Sequence, residues 1–264
     1  MAERETARPD GINAVAIATT NRSYHEIACA FMGKGIDVIS DKPLTTNLED
    51  ALDLVRRQKE TGLVFGVTYS YAANAMVRQA RAMVREGLLG ELKQIHVEYF
   101  QEWAMTPPEQ GGVGALWRTN PDLVGKAFTT GDIGTHCHYL GLFVAGLPMI
   151  AVRAEFHTVR PPKPLEDTAF MHVRYQDGIP GTIMVSQAAA GTHCGLKIRV
   201  FGNKASLEWS QEDPEYLHFY PFNAPAQLLT SGEAQASDPM LPVSSTCRVA
   251  IPSRSSRRCR RQLR

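Results

Sequence analysis

Three short strand-and-helix units followed by a long run of alternating strands predict an α/β plus α+β chain, in which an incomplete parallel sheet precedes a domain with a large, mostly antiparallel sheet. Apolar runs at 14–18, 36–39 and 64–67 alternate with helical patterns at 24–32, 48–58 and 74–86, the rhythm of a parallel sheet with right-handed crossovers. After Gly90 the period changes from helical to alternating. With 264 residues, 44% of them hydrophobic, the chain can bury one large or two modest cores.

Each element has a local reason. Ala14 to Ala18 is a continuous apolar run of strand type; the polar turn Thr19-Thr20-Asn21 leads to a helix from Tyr24 that stops at Gly33 and Gly35. The unit repeats with Ile36 to Ile39, the exit loop Asp41-Lys42-Pro43-Leu44, the N-cap candidate Asn47 and a helix carrying Leu48, Leu52 and Val55 on one face. Val64 to Val67 and a helix from Asn74 to Glu86, closed by Gly87, make the third. Residues 93–102 alternate as a strand, and a Gly- and Pro-rich loop at 106–126 leads to a helix predicted over Asp132 to Ala145. Gly111-Gly112-Val113-Gly114 is read as part of that loop, with no convincing helix after it. Strands follow at 150–159, 168–175, 181–187, 196–201 and 205–209, with turns at Gly178 and Gly202-Asn203. The expected division is 10–90, 91–235 and a disordered basic tail at 236–264.

Composition excludes several classes. The longest nearly uncharged apolar stretch, 141–152, is broken by Pro148 and falls short of the ~20 residues a membrane span needs. The N-terminus mixes charges and lacks an apolar signal core, so a cytoplasmic protein is expected. Five cysteines with no Cys-x-x-Cys pair argue against a disulfide framework and a structural zinc site. His136-Cys137-His138 points its side chains in different directions and has no companion cluster, so no metal is expected.

Net charge is +1, yet residues 248–264 carry seven arginines and no acid, leaving −6 for the rest. Such a tail can bind nucleic acid or anionic lipid, but it has neither aromatic residues nor strand alternation. It reads as a frameshifted or artefactual end, and no nucleic-acid or membrane partner is expected.

Two polar stations carry the chemistry. Asp41-Lys42-Pro43 places an ammonium where a buried strand stops, and Asp132-Ile133-Gly134-Thr135-His136 places a carboxylate and an imidazole one helical turn apart on one face. Together they read as a proton-transfer site. Taken singly, Lys42 could be a solvated loop lysine and Asp132 a first-turn acid favoured by the helix dipole.

The run Ala14 to Leu44, the Asp-Lys-Pro loop, Trp117-Arg118-Thr119 and Gly131-Asp132-Ile133-Gly134-Thr135-His136 resemble the glucose-fructose oxidoreductase/inositol dehydrogenase (Gfo/Idh/MocA) family over roughly residues 10 to 235. The resemblance implies that 10–90 is the C-terminal part of a dinucleotide-binding Rossmann-like domain and 91–235 a substrate and oligomerisation domain. It implies NAD or NADP as cofactor and hydride transfer between nicotinamide and a sugar or cyclitol. By the same resemblance Lys42 polarises the reacting oxygen, Asp132 orients the site and His136 exchanges the proton. Thr19, Asn21, His25, Asp41, Lys42 and Pro43 would contact the cofactor. Tyr71, Trp117, Arg118 and His138 would line the sugar pocket, and the full-length relative would be a homo-oligomer through its open sheet face.

The chain departs from the family pattern in one large respect. A Gly-x-Gly-x-x-Gly turn, whose amides and helix N-terminus hold the pyrophosphate, does not precede Ala14. The expectation is a first domain lacking about two βαβ-type units, with Ala14 to Ala18 as an exposed edge. Asp41 stands where the family commonly has glutamate, and Thr20 where it has proline. An alternative reading is therefore a catalytically inactive fragment that binds a polyol or only self-associates.

Overall fold

The computed structural model describes residues 1–160, 163–232 and 246–250. The first sheet has three parallel strands in the order β1-β2-β3: β1 Ala14–Ile17, β2 Asp37–Ser40 and β3 Phe65–Val67. A short helix α1 (Ala2–Thr6), which the sequence did not suggest, precedes it. As expected, β1 is an edge.

Helices α2 (Tyr24–Met32) and α3 (Leu48–Thr61) connect the strands. Asn47 caps α3 by accepting from the Asp50 amide at 2.8 Å, and Gly62 ends it in the left-handed conformation. Tyr24, Ala28, Phe31 and Met32 of α2 form a small core with Ile17, Val38 and Leu54.

The second sheet has nine strands in the order β12-β11-β10-β9-β8-β4-β7-β6-β5. They are β4 Leu92–Phe100, β5 Met149–His157, β6 Thr168–Tyr175, β7 Pro180–Ser186, β8 Gly195–Gly202, β9 Ala205–Ser210, β10 Tyr216–Pro221, β11 Gln227–Gly232 and β12 Thr246–Ala250. All neighbours are antiparallel except β4 with β7. One face buries the alternate residues Ile95, Val97 and Tyr99 of β4 with Ile183, Val185, Ile198, Val200, Leu207 and Trp209, the period of two expected of a half-buried sheet.

Helices α4 (Ala75–Arg85) and α7 (Thr135–Ala145) cover that face. Met76, Val77, Ala80 and Met83 of α4 belong to the core of the large sheet, so the apolar division falls before α4 and not at residue 90. The reason is the strongly one-sided apolar stripe of α4, which only a broad sheet can cover. Gly141 lets α7 approach closely: a Cβ there would meet the Tyr175 hydroxyl at 2.7 Å.

Three further expectations are corrected. The 106–126 segment contains helices α5 (Gly112–Arg118) and α6 (Pro121–Val124), formed because Ala115 and Val124 are buried and Asn120 caps α6. The helix foreseen from Asp132 begins instead as a π-helical turn, Thr130–Gly134, before α7. The tail is not disordered throughout, since β12 pairs with the edge of β11, whose free amides and carbonyls would otherwise be unpaired. The remaining tail residues, including most of its arginines, lie outside the described residues.

Candidate active site

Lys42, in the loop after β2 of the small sheet, and Asp132, in the π-helical turn before α7, meet. β2 ends at Ser40, and the loop after it, with a cis Lys42–Pro43 bond, turns Lys42 toward the π-helical turn. The Lys42 ammonium donates to the Asp132 carbonyl at 2.8 Å and forms a close ion pair with Oδ1 of the same residue. Gln187, at the end of β7, donates from Nε2 to the other carboxylate oxygen at 2.8 Å. Burial would raise the Asp132 carboxyl, but Lys42 and Gln187 outweigh it and hold the group below its ordinary value. The π-helical turn places Asp132 differently from a regular first turn, and π turns frequently mark functional sites.

Asp41 anchors the same loop. Its Oδ1 accepts from the Lys42 amide at 2.9 Å and the Thr68 hydroxyl at 2.6 Å. This joins the loop after β2 to the segment after β3.

His136 lies on α7 with 8% exposure. The rings of Tyr69, Tyr71 and Tyr99 meet it edge-on, with centroids 5.6, 4.8 and 6.4 Å away. Burial first, then the Lys42 charge, depress its imidazole to about 4, against opposition from Asp132 and Asp41. His136 is therefore uncharged at neutral pH and able to accept a proton.

The sign of the linked stability follows. The unfolded chain takes up a proton near the ordinary histidine value of 6.5 and the folded chain only near 4, so stability is full above the upper value and falls as pH drops through that window. The expected loss from His136 is on the order of 3 kcal/mol. Urea midpoints measured between about pH 7 and about pH 4.5 should fall less in His136→Asn than in the parent; parallel profiles would contradict the assignment.

Two adjoining cavities share Lys42, Asp132 and Arg118. One, of about 450 Å³, is lined by these with Tyr71, Tyr99, Gln101, Trp103 and His136. The other, of about 540 Å³, lies at the carboxyl ends of β1 and β2 and is lined also by Thr19, Thr20, Asn21, Tyr24, Asp41 and Trp117. A ligand site outside the carboxyl ends of parallel strands is the expected place in an open α/β sheet.

The structure thus brings together Lys42, Asp132, His136, Tyr71 and Arg118 around one cavity, and Thr19, Asn21 and Asp41 around the other. Trp117 lines the strand-end cavity and not the other one, and its ring carries the Arg118 guanidinium at 4.3 Å. Pro43 is buried beside the loop and His138 half-buried along α7, and neither lines either cavity. His25 turns away altogether, toward Asp53 on α3 at 2.9 Å, because the next position along α2 after Tyr24 faces the neighbouring helix. Sequence reasoning missed Tyr24, Tyr69, Tyr99, Gln101, Trp103 and Gln187. Only Tyr99 carried a signal, as an inward position of an alternating strand.

A chain of hydrogen bonds backs the site. Gln187 donates to Gln101 Oε1 at 3.0 Å, Gln101 donates to the Tyr99 hydroxyl at 3.2 Å, and that hydroxyl lies 2.5 Å from the one on Tyr71. Burial pushes the Tyr71 hydroxyl up to about 12, so it stays protonated.

The family model described as oxidoreductase family, NAD-binding Rossmann fold matches residues 3–69, and that of the GFO/IDH/MocA C-terminal domain matches 77–208. The chain belongs to the Gfo/Idh/MocA oxidoreductase family. It is 32% identical over 245 residues to the uncharacterized oxidoreductase YfiI of Bacillus subtilis, covering 90% of this chain and 61% of that protein. A crystal structure of an inositol dehydrogenase homolog complexed with NAD+ from Azotobacter vinelandii superposes with TM-score 0.83 at 36% identity, over 88% of this chain and 60% of that one. Levoglucosan dehydrogenase of Pseudarthrobacter phenanthrenivorans is 25% identical over 227 residues, covering 77% of this chain and 56% of that protein. The chain spans about three fifths of the length of these relatives.

The strand-end cavity is lined largely by residues of the segment that matches the NAD-binding Rossmann-fold family model. Asn21 is buried against it and makes no side-chain hydrogen bond to other described residues, which leaves its amide for a ligand. Among the described residues no helix is long and apolar enough to cross a membrane.

Proposed function

We propose that this chain carries the reacting half of an NAD(P)-dependent oxidoreductase that acts on a sugar or cyclitol. The observation that supports it most is the shared wall of the two cavities, where Lys42 and Asp132 stand between a strand-end pocket and a polar pocket containing the uncharged His136. Thr19, Asn21 and Asp41 would hold the nicotinamide end. A bound nicotinamide would supply the acceptor for a hydride.

The chain's own residues then do the following. The Lys42 ammonium binds the substrate hydroxyl and stabilises the negative charge that develops on its oxygen. His136 accepts the hydroxyl proton. Asp132, fixed by Gln187, holds Lys42 in place, and Tyr71 and Arg118 offer donors to further hydroxyls. Neutral, hydroxyl-rich substrates suit this lining because hydrogen-bonding side chains outnumber apolar ones around the pocket. The relatives named for inositol and levoglucosan favour the same class.

The open face of the large sheet displays Phe170 and Phe201 at 43% and 36% exposure, which favours association with a second copy.

Titration with NADH and NADPH, read by nicotinamide fluorescence, tests the reading. Saturable binding, weakened at least about tenfold in Lys42→Ala, supports it and makes a polyol screen at 340 nm worthwhile. A folded protein that binds neither nucleotide but still binds a polyol would favour the non-catalytic reading.

A further inference from the structure

Three potential metal ligands converge away from the active site. His25 and Cys29 stand four residues apart on α2, so both project from one face, and Asp53 of α3 comes up opposite them. His25 Nε2 lies 2.9 Å from Asp53 Oδ2 and 3.5 Å from Cys29 Sγ, and Sγ lies 3.7 Å from the same carboxylate oxygen. All three residues are partly buried.

These separations suit a single ion. With zinc bonds of about 2.0 Å to nitrogen and oxygen and about 2.3 Å to sulfur, a common point exists at which the three angles lie between roughly 90° and 120°, leaving a fourth, open tetrahedral position. A neutral imidazole, a thiolate and a carboxylate are donors that zinc accepts together.

The surroundings support that use. Asp50 Oδ1 lies 3.7 Å from His25 Nδ1, on the side where a carboxylate would fix the tautomer that presents Nε2 to a metal. Arg57 Nε donates to Asp53 Oδ2 at 2.6 Å and Arg56 Nη2 to Oδ1 at 2.5 Å. Each carboxylate oxygen has a second lone pair, so Oδ2 can keep Arg57 and still bind an ion. The two guanidinium groups lower the affinity without removing the ligand.

We propose that His25, Cys29 and Asp53 form a zinc site that clips α2 to α3. The ion would take the place of the His25 Nε2–Asp53 Oδ2 hydrogen bond, with the single imidazole N–H carried on Nδ1 beside Asp50, and would displace the Cys29 thiol proton to solvent. It would tie two helices whose ligands lie 24 residues apart between Cys29 and Asp53, restricting the unfolded chain as a loop closure does. The site is independent of the oxidoreductase reading.

Zinc titration of the purified full chain against a chromophoric chelator, with Co2+ as spectroscopic probe, tests it. The expected result is one equivalent of metal, a thiolate-to-cobalt charge-transfer band in the near ultraviolet, and a zinc-dependent rise in melting temperature. Cys29→Ser and Asp53→Asn, both close in shape to the parent, should each weaken binding by about 10- to 100-fold or more, and the first should erase the band. Far-ultraviolet circular dichroism keeps a misfolded variant from being misread, and Cys194→Ser should bind as the parent does. No stoichiometric binding, or binding and a cobalt band that survive Cys29→Ser, would overturn the proposal.

Discussion

Lys42→Met is expected to lower kcat/KM for polyol oxidation by about a thousandfold. The variant keeps the length of the side chain and removes the ammonium proposed to stabilise the developing alkoxide. It also strands the Asp132 carboxylate, which sits at 18% exposure against a Lys42 side chain at 17%. Removing one partner of such a pair costs on the order of 3 kcal/mol. The double variant Lys42→Met/Asp132→Asn separates the two effects, since a neutral amide no longer needs the ammonium. Urea denaturation should recover most of the stability in the double variant while steady-state turnover stays low. A folded Lys42→Met enzyme with kcat/KM within about tenfold of the parent would remove Lys42 from the chemistry.

Asp167→Ala should be the most damaging change outside the site, at about 3 to 5 kcal/mol. Its carboxylate is fully buried and accepts from the Val159 and Arg160 amides at 2.9 and 3.1 Å, from Lys163 Nζ at 2.7 Å and from the Thr168 hydroxyl at 3.1 Å. Alanine removes the carboxylate that pairs the 3% exposed ammonium, leaving it the Arg160 carbonyl at 2.7 Å, and strips the Val159 and Arg160 amides of this acceptor. Burial alone would raise the Asp167 carboxyl, but Lys163 and the backbone amides hold it below its ordinary value of 3.8. Its contribution is thus full above that value and is lost as pH falls through the folded one. The Asp167 carbonyl accepts from the Gln187 amide at 2.9 Å, so the lesion also loosens the residue that holds Asp132. A shift in the urea midpoint worth less than about 1 kcal/mol would mean that water replaces these bonds.

The sheet types were legible because each has its own period. Apolar runs alternating with helical patterns, two of them closed by Gly33, Gly35 and Gly87, marked the parallel units, and alternation at Ile95, Val97 and Tyr99 marked the antiparallel sheet. Lys42, Asp132 and His136 were readable as two stations, and the structure brings them to one cavity. What escaped was decided by tertiary contact. The π-helical turn has no period of its own, the helix over Gly112–Arg118 forms by burying one alanine, and Gln187 is a lone glutamine at a strand end. The family resemblance put His25 at the cofactor, whereas its position around α2 aims it at Asp53 of α3. The metal-ligand cluster was invisible for the same reason, since its third member lies on another helix.

The meeting of Lys42 and Asp132 across 90 positions of chain has a mechanical consequence. Each residue is carried by elements packed on a separate apolar core, so the spacing of these two groups is set by a joint and not by either core. A substitution at that joint can detune catalysis while both cores melt at their usual temperatures. Rate, and not thermal stability, is then the sensitive gauge of how the two halves are seated, and variants that shift the seat by a fraction of an ångström become the natural route to altered substrate preference.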